Sequence, residues 1–539
     1  MTRHHTFRML LACGAALATA GCEDDFLDVV SPTTISDDIF WSQESDAVLS
    51  LNGVYSQLPS AITIVELDGL TDNGTVNRQF DGRYVYSDGS FSTTGGYSRD
   101  RWIDAYTGIA RANVLLANID RIPEARIDAT RKLRYAAEAR FLRAYFYNNL
   151  VNLFGDVPLV LEPLDIAAAK AVSRTPAAEV VDQIFADLDA AAAVLPTTYA
   201  AADAGRATRG AALALKARAA LFAGRYQVAA DAAKAVMDLG IYSLHSSYSA
   251  LFTYAGETSP EIIFARNYSK TAQASGQNSG VFQEFGPASN SAFGRIVPIR
   301  SLIDSYQATD GQPISGANAS PIYDPAPDQM YNNRDPRLAA TLLFPGASWD
   351  GRIYDSRPRP ISTTPDAISP QDEVTPVTGY NIRKYIDLTD KADRNNGGIN
   401  TILIRYADVL LMYAEARIEL GQIDGTVLAA IDQVRQRPTV NMPPVPLGSQ
   451  AEMRDAVRYE RRAELAFEGL RLFDMRRWRI AEAVMPTAAV VGIDYLDGGV
   501  IKTVLVPASA RSFPVRNYLW PIPQTEIDIN PNLAQNPGY

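Results

Sequence analysis

The feature that most constrains the fold is an alanine-rich stretch from Ala217 to Ala233, in which two helix-like runs flank a glycine, Gly224. Alanine at a helix contact lets two helices approach closely, and the aromatic Tyr226 follows the glycine turn. The stretch 420–430 repeats this pattern more weakly, with Gly421 at its turn. Both stretches favour degenerate tetratricopeptide hairpins, with unrelated helical hairpins as the alternative.

Hydrophobic periodicity predicts further helices along the chain. From Ala407 to Ile418, apolar residues occupy the i, i+3, i+4 and i+7 positions of one helix face. Thr175 followed by Pro176 is typical of a helix N-terminus. The predicted helices, several of them paired, cover residues 37–59, 100–122, 128–154, 176–195, 207–239, 403–437 and 452–484.

Two stretches depart from this helical pattern. Thirteen of the 32 prolines lie between Pro287 and Pro376, and proline at that density breaks helices and removes donors from β-ladders. Residues 240–400 are therefore predicted to form ordered loops, short strands and brief helices. The stretch 61–99 is predicted to be a second loop. The resulting fold class is mainly α, a tetratricopeptide-like frame that carries an irregular, loop-rich half.

The beginning of the chain has the order of a bacterial lipoprotein signal. Basic residues up to Arg8 precede an apolar run of ten residues, which is too short to span a bilayer. Small residues then lead to Cys22, which resembles the cysteine that is acylated in the lipobox. We therefore predict a lipoprotein signal peptide over 1–21 and lipidation of Cys22. Ordinary secretion with an incidental cysteine is the alternative, and the acidic run after Cys22 is either a surface-export signal or a solvated tether.

Scarce residue types exclude several kinds of chemistry. The chain has two cysteines, Cys13 and Cys22, and three histidines, of which only His245 lies beyond the predicted signal peptide. Too few ligands remain for a Cys/His zinc site, and a Ser-His-Asp triad would need His245. We therefore predict no metal site, no cofactor and no catalytic residue. Carboxylate-only chemistry, such as glycoside hydrolysis by an Asp/Glu pair, stays open.

The overall charge argues against a nucleic-acid partner. The formal net charge is −11, and it becomes −13 once the segment with Arg3 and Arg8 is removed. Phosphate backbones are bound by clustered Lys and Arg side chains, and this chain has no basic run. No later stretch reaches the ~18 apolar residues of a membrane helix. The predicted contact with the membrane is therefore the lipid anchor.

Six segments, taken in order, match the pattern of one family. They are Phe26-Leu-Asp28 with Phe40-Trp41, Trp102 to Asn113, Glu138 to Leu159, Ile404 to Ala416, Arg458 to Trp478, and Trp520 to Gly538. Together they resemble the SusD/RagB family of nutrient-binding outer-membrane lipoproteins, of the starch-utilisation-system type. The resemblance runs over nearly the whole chain, and its last two segments are the most specific.

The resemblance implies a fold and a role. The frame would consist of about four degenerate helix pairs, in an N-terminal part 22–239 and a C-terminal part with tail 401–539. The Pro/Gly-rich subdomain 240–400 would lie between them, and 22–539 would be one compact unit. The expected role is capture of oligosaccharides or peptides, without cleavage, for a SusC-like TonB-dependent transporter. The protein would be anchored in the outer membrane and face the exterior. A surface glycoside hydrolase and a protein-binding scaffold without a small ligand are the alternatives.

The charged residues of the C-terminal signature have a structural interpretation. They recur at helical spacing, and charged hydrogen bonds between helices are predicted for them. These residues are Arg461, Glu464, Glu468, Arg471 and Asp474. None of them is predicted to contact a ligand.

The stretch 61–99 is the predicted ligand loop, because in the family this stretch commonly lines the ligand face. Sugars need planar hydrogen-bonding groups and aromatic faces. The candidate ligand-binding residues of this loop are Asp72, Asn73, Arg78, Tyr84, Tyr86 and Tyr97. The alternative is that the tyrosines pack the loop itself.

A second group of aromatic residues supplies weaker candidates. These are Phe282, Phe285, Phe293, Trp349 and Tyr354. Of the five tryptophans, only Trp349 lies outside the family segments and is free for stacking on a sugar. That scarcity favours a peptide or a small branched glycan over a flat starch-type platform.

Overall fold

Helices dominate the computed structural model, which describes residues 40–77, 81–270, 278–369, 375–485, 490–506 and 511–539. The predicted signal peptide, Cys22 and Arg78 lie outside these ranges. The α-helices are α1 (Glu44–Tyr55), α2 (Ala61–Gly69), α3 (Tyr84–Asp88), α4 (Gly96–Asn118), α5 (Ala129–Phe154), α6 (Ile166–Ala169), α7 (Ala177–Val194), α8 (Arg209–Phe222), α9 (Tyr226–Met237), α10 (Tyr248–Leu251), α11 (Val281–Phe285), α12 (Arg300–Ser305), α13 (Arg337–Thr341), α14 (Tyr406–Glu419), α15 (Gly425–Arg435), α16 (Gln450–Leu465), α17 (Arg471–Arg477), α18 (Ala481–Val484) and α19 (Gln524–Ile529).

The longer helices form one continuous frame. Helix α4 packs against α5, α5 against α7, α7 against α8, and α8 against α9. Helix α9 then packs against α14, although the whole irregular half lies between them in sequence, and α14 packs against α15 and α16. Successive helix pairs thus continue across the irregular half, which confirms the predicted mainly α, helical-repeat fold. Within the described residues, no helix is both long and apolar enough to cross a membrane.

The alanine-rich hairpin shows how the sequence specifies this frame. Gly224 turns the chain with a φ of 69°, a left-handed conformation that glycine adopts without steric cost. Ala217, Ala220 and Ala229 are completely buried, and the helices α8 and α9 on which they lie pack against each other. The weaker pattern also forms a hairpin, because Gly421 has a φ of 69° after α14. Both hairpins are confirmed.

Two predicted boundaries need correction. The stretch 61–99 is not a loop, since it contains α2, a strand, α3 and the start of α4. These elements are too short to show a clear hydrophobic period, and α2 buries two acidic residues, Glu66 and Asp68. The predicted helical range 452–484 is divided at Phe467 and Gly469, whose φ angles are 62° and 74°.

Short strands occur in the 61–99 stretch, in the irregular half and in the C-terminal part, and they form two-stranded antiparallel ribbons. The strands are β1 (Gly74–Val76), β2 (Ile262–Arg266), β3 (Ile296–Pro298), β4 (Leu342–Leu343), β5 (Ser348–Trp349), β6 (Arg352–Ile353), β7 (Asn381–Ile382), β8 (Thr401–Arg405), β9 (Val490–Asp497) and β10 (Val500–Val506). The pairs are β1 with β3, β2 with β8, β4 with β7, β5 with β6, and β9 with β10. The β2–β8 ribbon ties the end of the irregular half to its beginning.

A buried network of charges joins the irregular half to the frame. Its five cations and five carboxylates are Arg337, Lys384, Arg405, Arg435, Arg437, Glu261, Asp335, Glu460, Glu464 and Glu468. Arg405, at the end of β8, reaches Glu261 at 2.8 Å and Glu464 at 2.7 Å. Because positive and negative groups of this network are equal in number and hydrogen-bonded to each other, none of its ten charges is isolated.

The remaining residues of the C-terminal signature make similar contacts. Arg461 on α16 pairs with Asp408 on α14 at 3.0 Å and with Asp474 on α17 at 3.0 Å. Arg471 pairs with Asp72 at 2.8 Å. The predicted charged hydrogen bonds between helices are therefore confirmed for Arg461 and Asp474. Arg471 and Glu468 instead pair with residues outside the helices, namely Asp72 and Arg405.

Candidate functional site

The candidate site lies where the chain leaves the β1–β3 ribbon. These strands are antiparallel, with Val76 opposite Ile296, and the Asn77 N–H donates to the Arg295 carbonyl oxygen at 2.9 Å. Asn77, which follows β1, and Arg295, which precedes β3, therefore lie side by side. The candidate site is the surface formed by Asp81, Arg83, Glu284, Phe293 and Arg295.

Alternating charges cross this surface. Arg83 Nε lies 2.7 Å from Glu66 Oε1, and Arg83 Nη1 lies 3.0 Å from Asp81 Oδ1. Arg295 Nη1 lies 3.5 Å from the other oxygen of Asp81, and Arg295 also pairs with Glu284. The two guanidinium groups are thus held in place by carboxylates on both sides.

The site presents an aromatic ring and two cations to solvent. Phe293 is 39% exposed, and the guanidinium carbon of Arg295 lies 5.6 Å from its ring centroid. The side chains of Arg83 and Arg295 are 29% and 33% exposed. An exposed ring can pack against the apolar C–H face of a sugar, while guanidinium N–H groups donate to its hydroxyl oxygens.

Two carboxylates that contact Arg83 have pKa values shifted in opposite directions. Although burial acts to raise it, the pKa of Asp81 lies below its ordinary value because the backbone N–H and the guanidinium of Arg83 stabilise the anion. Burial raises the pKa of Glu66, and the charges of Arg83 and Arg101 offset this only in part. Glu66 is 2% exposed, so the carboxylate with the raised pKa lies beneath the surface.

Two predicted ligand residues, Asp72 and Asn73, belong to the protein interior. Asp72 is 2% exposed and pairs with Arg471 and with Arg462, whose Nη2 lies 3.0 Å from it. The pKa of Asp72 lies well below its ordinary value, because these cations outweigh the effect of burial. Asn73 is completely buried and donates to Asp68 at 2.8 Å. This is a correction, since neither side chain presents a surface to a ligand.

The predicted tyrosines are also buried. Tyr84 and Tyr97 are each 8% exposed and Tyr86 is 3% exposed. The Tyr86 ring stacks on Phe91 at 4.5 Å and contacts Trp520 edge-on at 5.4 Å. The structure thus favours the alternative that these tyrosines pack the 61–99 stretch. Arg78 lies outside the described residues, and its contact with a ligand stays a prediction.

Of the weaker candidates, only Phe293 is exposed. The others are packed in the core of the irregular half, namely Phe282, Phe285, Trp349 and Tyr354. Trp349 is 4% exposed and donates through Nε1 to Asn290 at 2.7 Å. It is therefore not free for stacking, which corrects the expectation drawn from the count of tryptophans.

Four residues of the site were missed in the sequence. Only the pairing of β1 with β3 brings these residues together, namely Asp81, Arg83, Glu284 and Arg295. A local signal did exist, because Asp81-Gly-Arg83 and Phe293-Gly-Arg295 each place a glycine beside an arginine. Short polar turns of this kind occur throughout surface loops, so this signal has little specificity.

The one histidine beyond the signal region has a structural role. Nδ1 of His245 accepts the Ser247 N–H at 3.0 Å, and the His245 N–H donates to Glu261 at 2.7 Å. Among the residues that the structure describes, no cluster of His, Cys, Asp or Glu could hold a metal ion.

Two family models match the chain and together cover most of it. The model described as the SusD family matches residues 260–539. The model described as "Starch-binding associating with outer membrane" matches residues 25–221. A relative from Formosa agariphila, SusD-like protein P2, is 26% identical over 99% of this chain and 99% of its own length.

Solved structures show the same architecture. A SusD-like carbohydrate-binding protein from Bacteroides fragilis is 31% identical, with a TM-score of 0.83, over 92% of this chain and 100% of that chain. A laminarin-binding SusD-like protein is 26% identical, with a TM-score of 0.70, over 92% of this chain and 100% of that chain. The similarity thus extends over nearly the whole of each protein.

Proposed function

The chain belongs to the SusD/RagB family, and from that premise we propose that it is a non-catalytic, carbohydrate-binding protein of the outer-membrane surface. The single observation that carries the assignment of the site is the exposed Phe293 ring beside the Arg295 guanidinium, which shares Asp81 with the Arg83 guanidinium. A related protein of known structure binds laminarin. A glycan is therefore preferred here over a peptide as the ligand.

The protonation of the site supports binding rather than hydrolysis. A glycosidase needs one carboxyl group that is protonated at working pH, and a second that is ionised, on opposite sides of the scissile bond. At this surface Asp81 is held ionised by Arg83, and the carboxylate with a raised pKa, Glu66, is covered by protein. The charges of the site instead position arginine donors for sugar hydroxyls.

The first test of the site is the change Phe293→Ala. Loss of one stacked aromatic ring is expected to weaken glycan binding about threefold to tenfold, with little effect on stability because the ring is partly exposed. Isothermal titration calorimetry with laminarin oligosaccharides and a panel of other glycans and peptides would measure this. Ile166→Ala, which truncates an apolar side chain that is 76% exposed on the helical frame, is the control and should bind like wild type. Unchanged affinity of the Phe293 variant would reject this site.

Delivery to a transporter is a further part of the proposal. The family resemblance suggests a SusC-like TonB-dependent transporter as the partner, with the ligand held between the two proteins. The helical frame offers a long surface for such a partner, as repeat proteins commonly do. Isolated binding of the glycan is then expected to be weak, about micromolar or poorer, because the partner completes the site.

Anchoring through Cys22 completes the proposal and gives the second test. The change Cys22→Ser should release the protein from outer membranes into the soluble fraction, because the acyl chains are the proposed source of membrane affinity. Cys13→Ser is the matched control, since Cys13 lies within the predicted signal peptide, and this variant should stay membrane-bound. Detergent-phase partition would measure both. Pull-down of the wild type from the same membranes would show whether a transporter co-purifies, and retention of the Cys22 variant would contradict the anchor.

A further inference from the structure

A cavity of about 390 Å³ lies on the helical frame at the turn between α8 and α9. It is separate from the candidate site and shares no residue with it. The polar and aromatic residues that line it include Asn152, Tyr226, Arg476, Arg477, Arg479 and Tyr518. Arg476, Arg477 and Arg479 bring three guanidinium groups to the lining of this cavity.

Arg477 is neutralised by its neighbours, whereas Arg476 is not. Arg477 reaches both oxygens of Glu415 at 2.6 Å. Arg476 is 7% exposed, and its Nη atoms donate only to the carbonyl oxygens of Asn152, at 3.3 Å, and Asn517, at 3.2 Å. Its Nε has no hydrogen-bond partner. Burial lowers the pKa of Arg476 to about 10, so the group is still a cation at neutral pH.

Arg479 adds a second cation at the mouth of the cavity. It is exposed, and its guanidinium carbon lies 4.2 Å from the ring centroid of Tyr518. The Tyr518 hydroxyl donates to Glu482 at 3.3 Å, but Glu482 forms no ion pair with Arg479. In the described part of the chain, no carboxylate lies within 4.0 Å of Arg476 or Arg479. The cavity therefore has a local excess of positive charge.

Tyr226, the first residue of α9, lines the same cavity. This helix has 12 residues and begins at Tyr226, and no side chain caps its first turn. The first N–H groups of a helix have no intrahelical partner and carry the positive end of the helix dipole. Gly224 lines the cavity as well, together with Leu221, Phe222 and Ala223 at the end of α8, so both ends of the α8–α9 turn border it. Helix termini of this kind bind phosphate and sulfate in many proteins.

We propose that this cavity is a binding site for a phosphate or sulfate group. Two features converge on it: a buried guanidinium without a carboxylate, Arg476, and a second guanidinium at the mouth, Arg479. The forked N–H donors of arginine match the several oxygens of a phosphate or sulfate group. A halide ion has no such set of oxygens, so it would not use this fork. The inference goes beyond the proposed glycan site and does not depend on it.

Inorganic phosphate and inorganic sulfate are the probes for this site. Calorimetric titration at an ionic strength held constant with NaCl should show saturable binding of at least one of them to the wild type. Arg479→Ala should weaken that binding about tenfold or more, since a charge-assisted hydrogen bond is lost. Arg99→Ala is the matched control, because the Arg99 side chain is 47% exposed and pairs with Asp100, and it should bind like wild type.

A second arginine variant and a phosphate ester extend the experiment. Arg476→Lys keeps the charge but loses the forked donors, and it should also weaken binding while circular dichroism shows an intact fold. If this variant does not fold, the binding measured for Arg479→Ala decides by itself whether the proposal holds. Glucose 6-phosphate distinguishes a free ion from an ester, since tighter binding than phosphate would assign the site to a sugar ester. Absence of saturable binding by the wild type, or equal binding by Arg479→Ala, would overturn the proposal.

Discussion

Replacement of Glu464 by glutamine is expected to lower the free energy of unfolding by about 3–5 kcal/mol. Glu464 is completely buried, and it pairs with Arg405 and Arg437 at 2.7 Å and with Arg337 at 3.0 Å. Glutamine keeps the shape of the side chain but removes its charge, so three buried guanidinium groups would lose a shared counter-ion. The loss is large because these cations cannot be reached by water once the irregular half packs on the frame.

Urea unfolding followed by circular dichroism would measure this change. Asp455→Asn on the same helix removes a carboxylate that is exposed, and it should alter the unfolding free energy by less than about 0.5 kcal/mol. A loss below about 1 kcal/mol for Glu464→Gln would show that the charge network does not hold the two halves together.

Acid should weaken the same network. Burial acts to raise the pKa of Glu464, but Arg437, Arg405 and Arg337 outweigh it, so the pKa lies well below the ordinary value of 4.5. A carboxyl group with a depressed pKa in the folded state stabilises the protein above its unfolded pKa, and this contribution is lost as the pH falls below that value. Below pH 4.5, wild-type stability should therefore decline more steeply than that of Glu464→Gln.

Replacement of Tyr86 by alanine is the second change with a large expected effect, about 3–5 kcal/mol of lost stability. The ring lies among Phe91, Tyr97 and Trp520, with centroids 4.5–5.4 Å away. Its hydroxyl donates to Ser98 Oγ at 2.8 Å. Alanine would leave a cavity at a point where the 61–99 stretch meets the C-terminal tail.

Two variants of Tyr86 distinguish packing from ligand contact. Tyr86→Phe keeps the ring and loses only the hydroxyl, so it should lower the free energy of unfolding by about 1 kcal/mol. Glycan affinity of the phenylalanine variant should equal that of the wild type. A clear fall in affinity for Tyr86→Ala, with an unchanged unfolding transition, would instead return Tyr86 to the ligand surface.

The helical frame was predictable because helices depend on near neighbours in sequence. The alanines and glycine of the α8–α9 hairpin and the apolar stripe of α14 are patterns within one or two helical turns. The spacing of Arg461 and Asp474 likewise indicated partners on adjacent helices. Short elements carry too few residues for such patterns, and for that reason α2 and α3 were mistaken for loop.

The candidate site could be predicted only in its general location. The 61–99 stretch does contribute Asp81 and Arg83, which follow the predicted Arg78 closely in sequence. The aromatic residues of that stretch looked like a ligand surface because tyrosine suits both a sugar site and a half-polar core. Composition cannot distinguish ligand contact from core packing, because it does not show which side chains pack against each tyrosine ring.

The sequence by itself determined the helical frame, its hairpins, its family and the charged signature that holds it together, because these depend on local spacing. Only the tertiary structure decided which side chains are exposed. Asp72 is buried by Arg471, which is 399 positions away, and Phe293 reaches the surface because β3 pairs with β1. Exposure results from packing between distant segments, and no short stretch of sequence carries that information.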